Sequence, residues 1–435
     1  MTQLPAERPP LTSLRRSAFP TRPTSRYCAS DLKSRLCKAA LIRALRGLKR
    51  GRLTVLDGPD AFGLGESQAG GLQASITVHD SAFYTQTILG GSLGAAESYL
   101  RGDWSCDDLT QLMRILAQNL DAVHQFGRGW GKPATWGARV LHKIRRNTRS
   151  GSRRNIHEHY DLGNDFFALF LDETMQYSSA IFEDHQTALK DASVAKMDRI
   201  CRKLRLRPDD HLLEIGTGWG GFAQYAAINY GCRVTTTTIS KAQFDYARSR
   251  IAAAGLADQV TILLEYYRDL RGSFDKIASI EMIEAVGHEH LNGFFRKCGE
   301  LLRPDGAMLL QAITMPDRHY GRYLKSVDFI QRYIFPGGCL PSVTAMNQAI
   351  ASQTSMRLVH LEDFAAHYAQ TLRCWRDRFW NRIDDVRALG YSERFIRMWH
   401  YYLCYCEAAF CERTTGVVQM LLVQPDCRID GFRDS

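Results

Sequence analysis

Residues 212–222, LLEIGTGWGGF, decide the fold. Leu212-Leu-Glu-Ile reads as a short buried strand. Gly216, Gly218, Gly220 and Gly221 then make a tight turn poor in side chains, and Phe222-Ala-Gln-Tyr-Ala-Ala opens a helix. Such a turn lets backbone N–H groups approach a ligand closely at a helix N-terminus. Alone, the pattern serves NAD enzymes, flavoproteins and methyltransferases, and in some proteins it is only tight packing.

Downstream, strands and helices alternate: helix near 187–205, strand 211–215, helix 220–230, strand 232–238, helix 240–254, strands 259–264 and 274–281, helix 288–302 and strand 306–313. This alternation predicts an α/β fold, a Rossmann-like, mostly parallel open sheet with helices on both faces. An aromatic- and Arg-rich stretch, 316–400, interrupts it before GVVQMLLVQ (416–424) restores a strand. Upstream, a helix is expected from Asn164 to Leu171.

The N-terminal third has a different character. Residues 51–120 read as a small α+β unit, with strands in GRLTVLDGPDAFGLG and ASITVHD. GGSLGAAESYLRGDWSCDDLTQLMRILAQN becomes helical by its second half. Ser34–Arg50 places Leu36, Ala40, Leu41, Ala44, Leu45 and Leu48 at helical spacing among six basic residues, a basic amphipathic helix suited to a membrane surface or to its own domain. The expected organisation is a disordered basic arm over 1–33, a small lipid-associated domain over 34–127, a linker over 128–154 and a catalytic domain over 155–435.

Charge sharpens this division. The protein of 435 residues has a net charge of +10, yet residues 1–52 alone hold +11, so the remainder is close to neutral. Such an arm suits a polyanion, whether nucleic acid or an anionic bilayer, and its Arg- and Ser-rich composition also resembles a transit peptide. Twelve cysteines lie outside CxxC pairs, which points to a reducing, cytoplasmic setting rather than a disulfide frame or zinc site. His157 and His159 have no third ligand at suitable spacing, so no metal is expected.

A dinucleotide site would want a carboxylate at the end of the second strand to hold the ribose diol. Here that region is RVTTTTIS (233–240), without one. The acidic residue present is Glu214, just before the glycines, a position suited to the sulfonium and amino-acid end of S-adenosylmethionine. A nucleic-acid methyltransferase would need a tetrad such as Asn-Pro-Pro-Tyr after the fourth strand. The sequence has Glu281-Met-Ile-Glu284 there, so nucleic acid is not an expected partner.

HYDLGNDFFALFLDETMQYSSAIF, LLEIGTGWGGFA, TTTISKAQ, LLEYYRDL, FDKIASIEMIEAVGHEH, SVDFIQRYIFPGGCLPS and FIRMWHYYLCYCEAAF run in order over roughly 156–425. Together they resemble the cyclopropane-fatty-acyl-phospholipid synthases, a family that includes the mycolic acid cyclopropane synthases. The resemblance implies a class I methyltransferase fold whose insertion binds lipid. It also implies transfer of the S-adenosylmethionine methyl to a cis double bond of a phospholipid acyl chain, with closure of a cyclopropane. It places the cofactor at Tyr177, Ser178, Glu214, Gly216, Gly218, Gly220, Thr238, Gln243, Tyr266 and Tyr267. A bicarbonate base is implied too, held by Ser179, Glu284, Gln311, the Ile313 backbone and Tyr368. Cys406 matches a family cysteine, although the chemistry needs no thiol nucleophile.

Two positions depart from the family pattern. The usual Tyr-Ser-Cys is Tyr177-Ser178-Ser179, and a histidine of the bacterial synthases is Gln311, which cannot take a proton near neutral pH. The alternative product is therefore a methyl- or methylene-branched acyl group without a ring. The expected surroundings are cytoplasmic, with peripheral contact to an unsaturated phospholipid bilayer, and a homodimer is left open.

Overall fold

The structure of the protein is a computed structural model that describes residues 32–66, 70–120 and 162–429. The expected linker 128–154, the two histidines at 157 and 159 and nearly all of the basic arm lie outside these residues. The protein divides into two compact units, one holding 32–120 with 391–408, the other 162–390 with 409–429. The expected continuous catalytic domain is thus interrupted, because most of the aromatic helix Glu393–Cys411 groups with the N-terminal unit. In that unit the Tyr99 ring lies 5.6 Å from the Tyr401 ring, and its hydroxyl is 3.0 Å from His400 Nδ1.

The N-terminal unit is built on a four-stranded sheet ordered β2-β1-β3-β4: β1 Arg52–Asp57, β2 Asp60–Gly65, β3 Gln73–Val78 and β4 Trp104–Cys106. Burial alternates along β1 and β3, where Leu53, Val55, Ala74, Ile76 and Val78 face the core. Helix α1, Leu32–Leu45, ends five residues before the expected Arg50. A turn closes it, with Gly47 N donating to Ala44 O and Leu48 N to Leu45 O, and beyond it Asn119 Oδ1 accepts from the backbone N–H groups of Lys49 (2.8 Å) and Arg50 (3.2 Å). Cys37, Leu41 and Ile42 of α1 are buried, whereas Leu36, expected on the apolar face, is 64% exposed.

Helix α2, Ala82–Arg101, begins well before the expected helical half of its segment and carries a break at Gly91 (φ 60°, ψ −143°). Burial of Phe83, Tyr84, Ile88, Ala96, Tyr99 and Leu100 outweighs the roughly 1 kcal/mol that each interior glycine costs. Helix α3, Leu109–Gln118, is capped by Asp108, whose side chain accepts from Gln111 N.

The larger unit is the expected α/β layer structure. Its seven strands are β5 His211–Ile215, β6 Arg233–Thr238, β7 Val260–Leu264, β8 Phe274–Ile280, β9 Leu302–Thr314, β10 Arg357–Asp363 and β11 Gly416–Val423. They run in the order β10-β11-β9-β8-β5-β6-β7, and all pairs are parallel except those made by β11. Leu213 and Ile215 of β5 enter the hydrophobic cluster on one face and Leu212 the cluster on the other. Helices α4 Asn164–Phe170, α5 Leu189–Leu204, α6 Gly221–Tyr230, α7 Lys241–Ala253 and α8 Leu291–Leu301 follow the expected alternation within a few residues.

The stretch 316–400 is more than an interruption of the sheet. It holds α9 Asp317–Tyr323, α10 Val343–Gln353, α11 Ala365–Asn381 and α12 Ile383–Ala388, and it also supplies β10, which pairs antiparallel with β11 and forms the sheet's edge. That strand leaves Leu358 and Leu361 partly exposed, so its hydrophobic pattern is weak.

Candidate active site

The glycine turn forms as its sequence requires. Gly216 N and Thr217 N donate to Thr237 O at 3.1 and 3.0 Å, tying the turn to the end of β6. Gly216, Gly218 and Gly220 have φ of 109°, 51° and 81°. A Cβ on Gly221 would stand 2.2 Å from Thr174 O, so that residue admits no side chain. At Gly218, by contrast, a Cβ would meet nothing within 4 Å: the bare backbone there faces open space, as a cradle for a nucleotide cofactor requires.

Beside the turn, Thr238 Oγ1 donates to Gln243 Oε1 at 2.9 Å, and Ser240 caps α7. Glu214 is buried and accepts from Thr236 Oγ1 at 2.5 Å. Burial pushes its carboxyl up to about 8, against the opposing pull of the Thr236 bond and of Lys196. Tyr266 and Tyr267 both enter the core. Tyr267 packs edge-on against Phe294 at 5.5 Å and accepts from Arg268 Nε, which gives it a packing role whatever else it does.

The carboxylate cluster sits just past the C-terminal ends of β8 and β9, where open α/β sheets bind ligands. At its centre is Glu281, the first residue after β8, held in the left-handed region at φ 49°. Its Oε1 accepts from Ser179 N at 2.9 Å and from Gln311 Nε2 at 2.8 Å, and its Oε2 accepts from Tyr368 Oη at 2.7 Å. A non-glycine residue with positive φ costs about 1 kcal/mol and persists where its surroundings over-determine it. Ser179, Gln311 and Tyr368 do so here.

Three of the five groups that the resemblance assigns to bicarbonate therefore converge on a carboxylate of the protein itself. The other two meet each other: Ile313 N donates to Glu284 Oε1 at 2.6 Å. Glu284 Oε2 is buried without a hydrogen-bond partner. Burial, then the charge of Glu281, pushes the Glu284 carboxyl up to about 8. Burial also raises Glu281, against the hydrogen bonds of Tyr368, Gln311 and Ser179 and the charge of Lys196. Lys196 is itself fully buried and donates to Gln176 Oε1 (2.6 Å) and Ser178 Oγ (2.9 Å). Burial pulls its ammonium down to about 8, with Glu281, Asp172 and Glu214 opposing.

Aromatic rings surround this polar centre. The Tyr177 ring lies 5.2 Å from both Phe167 and Trp375 and 6.3 Å from Phe335, while Tyr368 stacks on Phe410 at 4.4 Å. Faces of this kind favour a cation and exclude water. The site thus offers an apolar, aromatic enclosure, a carboxylate fixed by three donors and an open glycine turn.

Of the expected site residues, Ser179, Gln311 and Tyr368 meet at Glu281, Glu284 meets Ile313, and Ser178 meets Lys196. Cys406 lies on the helix Glu393–Cys411, in the unit that holds residues 391–408. Sequence reasoning missed Glu281 and Lys196. Glu281 was legible in one respect: it is a carboxylate immediately beyond a central parallel strand, three residues before Glu284.

Comparison with known proteins places the whole sequence. Residues 147–420 match the family described as mycolic acid cyclopropane synthetase. The protein is 41% identical over 341 residues to the tuberculostearic acid methyltransferase UfaA1 of Mycobacterium tuberculosis, covering 77% of this sequence and 79% of that one. It is 39% identical over 360 residues to the cyclopropane-fatty-acyl-phospholipid synthase of Escherichia coli, covering 81% and 88%. Among solved structures, it resembles the mycolic acid cyclopropane synthase CmaA1 complexed with SAH and CTAB, at 33% identity and a TM-score of 0.58 over 62% of this protein and 98% of that one. The protein is a member of the mycolic acid cyclopropane synthetase family and an S-adenosylmethionine-dependent methyltransferase of the cyclopropane synthase type.

Proposed function

We propose that this methyltransferase acts on a cis double bond in the acyl tail of an unsaturated phospholipid, and that Glu281 is its general base. The observation that carries the reading is the Glu281 carboxylate, held by Ser179 N, Gln311 and Tyr368 within an aromatic enclosure. S-Adenosylmethionine, when bound, supplies an electrophilic methyl group. The open turn at Gly216–Gly220, with Tyr177, Ser178, Thr238 and Gln243, would hold it, and the buried carboxylates would offset its sulfonium charge.

The π electrons of the alkene form the new C–C bond, leaving a cation on the adjacent acyl carbon. Tyr177, Trp375 and Tyr368 present ring faces to it, and the Glu281 charge stabilises it. Glu281 then removes a proton from the added methyl, and the electrons of that C–H bond close the three-membered ring. A fixed carboxylate fills the place of bicarbonate, and Gln311 need only donate to it.

A second reading differs at one atom. If Glu281 faces a C–H bond of the acyl tail instead of the methyl, loss of that proton leaves a branched alkene without a ring. The near-equal identity to a tuberculostearic acid methyltransferase supports keeping it. The test gives purified protein S-adenosylmethionine and dioleoylphosphatidylglycerol vesicles, then examines the acyl tails by mass spectrometry and proton NMR. A gain of one CH2 with an upfield ring methylene supports ring closure, and olefinic signals with a branch support the second product. Unmodified lipid with bound cofactor would sink both.

Contact with the bilayer is proposed for α1. It exposes Leu32 and Leu36, at 72% and 64%, together with Lys33, Arg35 and Arg43, and the exposed Arg46 follows its last residue. Among the described residues no helix is long and apolar enough to cross a membrane.

A further inference from the structure

Gln311 is one end of a longer series of polar groups. It faces Gln419 across the antiparallel pair β9–β11, and the two glutamines are 0% and 1% exposed. Gln419 Nε2 donates to Gln311 Oε1 at 3.0 Å. Lys203, on α5 with its side chain fully buried, donates from Nζ to Gln419 Oε1 at 2.7 Å and pairs with Glu362 Oε2 of β10 at 2.6 Å. Arg199, one turn earlier, pairs with the other oxygen of Glu362 at 2.7 Å.

A primary amide can present either its oxygen or its nitrogen to a neighbour, and two paired amides can turn over together. A lysine ammonium has donors and no acceptor. Lys203 therefore requires the oxygen of Gln419, which leaves the Gln419 NH2 group for the oxygen of Gln311. That in turn leaves the Gln311 NH2 group for Glu281. Two adjacent glutamines inside a sheet are costly compared with two leucines unless every group is satisfied, and here the order of satisfaction runs one way only.

We infer that Lys203, Gln419 and Gln311 form a polarity relay that fixes a donor on the Glu281 carboxylate and so holds it ready as an ionised acceptor. Lys203 and Gln419 are positioning residues: they act on the base through Gln311. The relay rests on the reading of Glu281 as the base. Of the other groups facing Glu281, the Lys196 ammonium from α5 and the Ser179 N–H can only donate, whereas the Tyr368 hydroxyl from α11 and the Glu284 carboxyl from its own turn can turn without any signal from Lys203.

Gln419→Glu is the decisive variant. Glutamate keeps the shape and strengthens the hold on Lys203, so a purely structural role predicts a folded, equally or more stable protein and only the modest upward shift of Glu281 that one added charge produces. Its second oxygen cannot donate to Gln311, however, which must then turn its NH2 group toward residue 419 and its oxygen toward Glu281. A carbonyl oxygen against an ionised carboxylate makes Glu281 keep its proton to higher pH.

The experiment uses the full-length protein. The carboxyl stretch of Glu281 is titrated by infrared difference spectroscopy, assigned by subtracting Glu281→Gln in each background. The pH profile of kcat/KM on dioleoylphosphatidylglycerol vesicles is recorded in parallel. Gln419→Glu and Lys203→Met should move the titration and the acid limb upward by about one unit or more, and Gln311→Leu, which breaks the link, should cut that movement to what the changed charge alone gives, while Lys203→Arg, which keeps its donors, stays nearer the wild type. A folded Gln419→Glu with an unmoved titration, or with one that moves as far when combined with Gln311→Leu, would overturn the relay, and if that variant does not fold, the Lys203→Met and Lys203→Arg pair, each with and without Gln311→Leu, decides the same question. The infrared titration needs no turnover, so the two ideas fail separately. Full activity in Glu281→Gln would sink the base, whereas an inactive Glu281→Gln with unshifted relay variants would sink only the relay.

Discussion

At the scale of the residue, the proposed chemistry rests on two carboxylates three positions apart whose surroundings differ. Glu281 accepts from Ser179 N, Gln311 and Tyr368, whereas Glu284 accepts from backbone N–H groups only and its buried Oε2 has no partner among the described residues. Replacing Glu281 by Gln keeps the shape and removes the base, so kcat should fall by roughly 10²–10⁴, measured on vesicles with cofactor binding unchanged. Wild-type turnover should be indifferent to removing bicarbonate from the buffer, while Glu281→Gly opens a gap that added bicarbonate or formate partly fills. Rescue by these anions in the wild type instead would assign the base to a free ion. Glu284 makes a separate thermodynamic prediction. Its carboxyl rises from an ordinary 4.5 to about 8, so the folded protein holds a proton that the unfolded one releases. Its contribution to stability is complete below 4.5 and is lost as pH rises through about 8. Glu284→Gln, neutral throughout, should flatten the fall in melting temperature across that window. An identical slope in the variant would place the Glu284 proton elsewhere.

At the scale of the element, the glycine turn separates two demands that one motif conceals. Gly221 is required by the neighbouring Thr174 carbonyl, 2.2 Å from where a Cβ would stand, whereas Gly218 borders open space. Gly221→Ala should therefore destabilise the fold by about 1–3 kcal/mol, seen as a lower melting temperature. Gly218→Ala should cost stability only about 1–2 kcal/mol for its positive φ while weakening cofactor affinity at least tenfold by calorimetry. Equal cofactor affinity in Gly218→Ala would move the cofactor away from the turn. This contrast also marks how far the sequence could be read. The strand–turn–helix of 212–230 and the alternation to Thr314 were legible because buried parallel strands are short apolar runs between helices of clear period. Strand β10 was not, since an edge strand with exposed Leu358 and Leu361 carries little of that pattern. Helix α2 was misjudged because Gly90 and Gly91 speak locally for a break, while its buried aromatic stripe is a tertiary fact. In the site, Ser179, Glu284, Gln311 and Tyr368 are legible as candidates, but not the convergence of Ser179, Gln311 and Tyr368 on Glu281. Convergence is a property of the φ at one residue and of strands brought side by side, and neither is written in spacing. Lys196 and Lys203 escaped for a related reason: a lysine on an amphipathic helix reads as solvated until the sheet beneath supplies its acceptors.

At the scale of the whole molecule, the proposed phospholipid substrate sets a problem of access. An acyl double bond lies inside a bilayer, while the described residues contain no helix able to cross one. The basic helix α1 supplies a means of attachment that the structure has redefined. Its buried residues Cys37, Leu41 and Ile42 belong to the core of the N-terminal unit, so removing the helix would damage that unit and test folding instead of attachment. The exposed pair Leu32 and Leu36, one turn apart, and the exposed Lys33, Arg35, Arg43 and Arg46 form the separable surface. Near an anionic leaflet each such basic residue contributes about 1 kcal/mol, and the effect decays within a Debye length of ~10 Å at 0.1 M salt. Reversing all four charges to Glu should therefore weaken sedimentation with phosphatidylglycerol vesicles at least tenfold at low salt, with the deficit shrinking as salt rises. Leu32→Ser with Leu36→Ser should weaken it by an amount that salt leaves unchanged, since apolar insertion is not screened. Both sets leave the buried face of α1 intact, so melting temperature and cofactor affinity serve as the controls. Vesicle binding that survives both sets at low salt would remove α1 from the membrane contact and turn attention to residues 1–31.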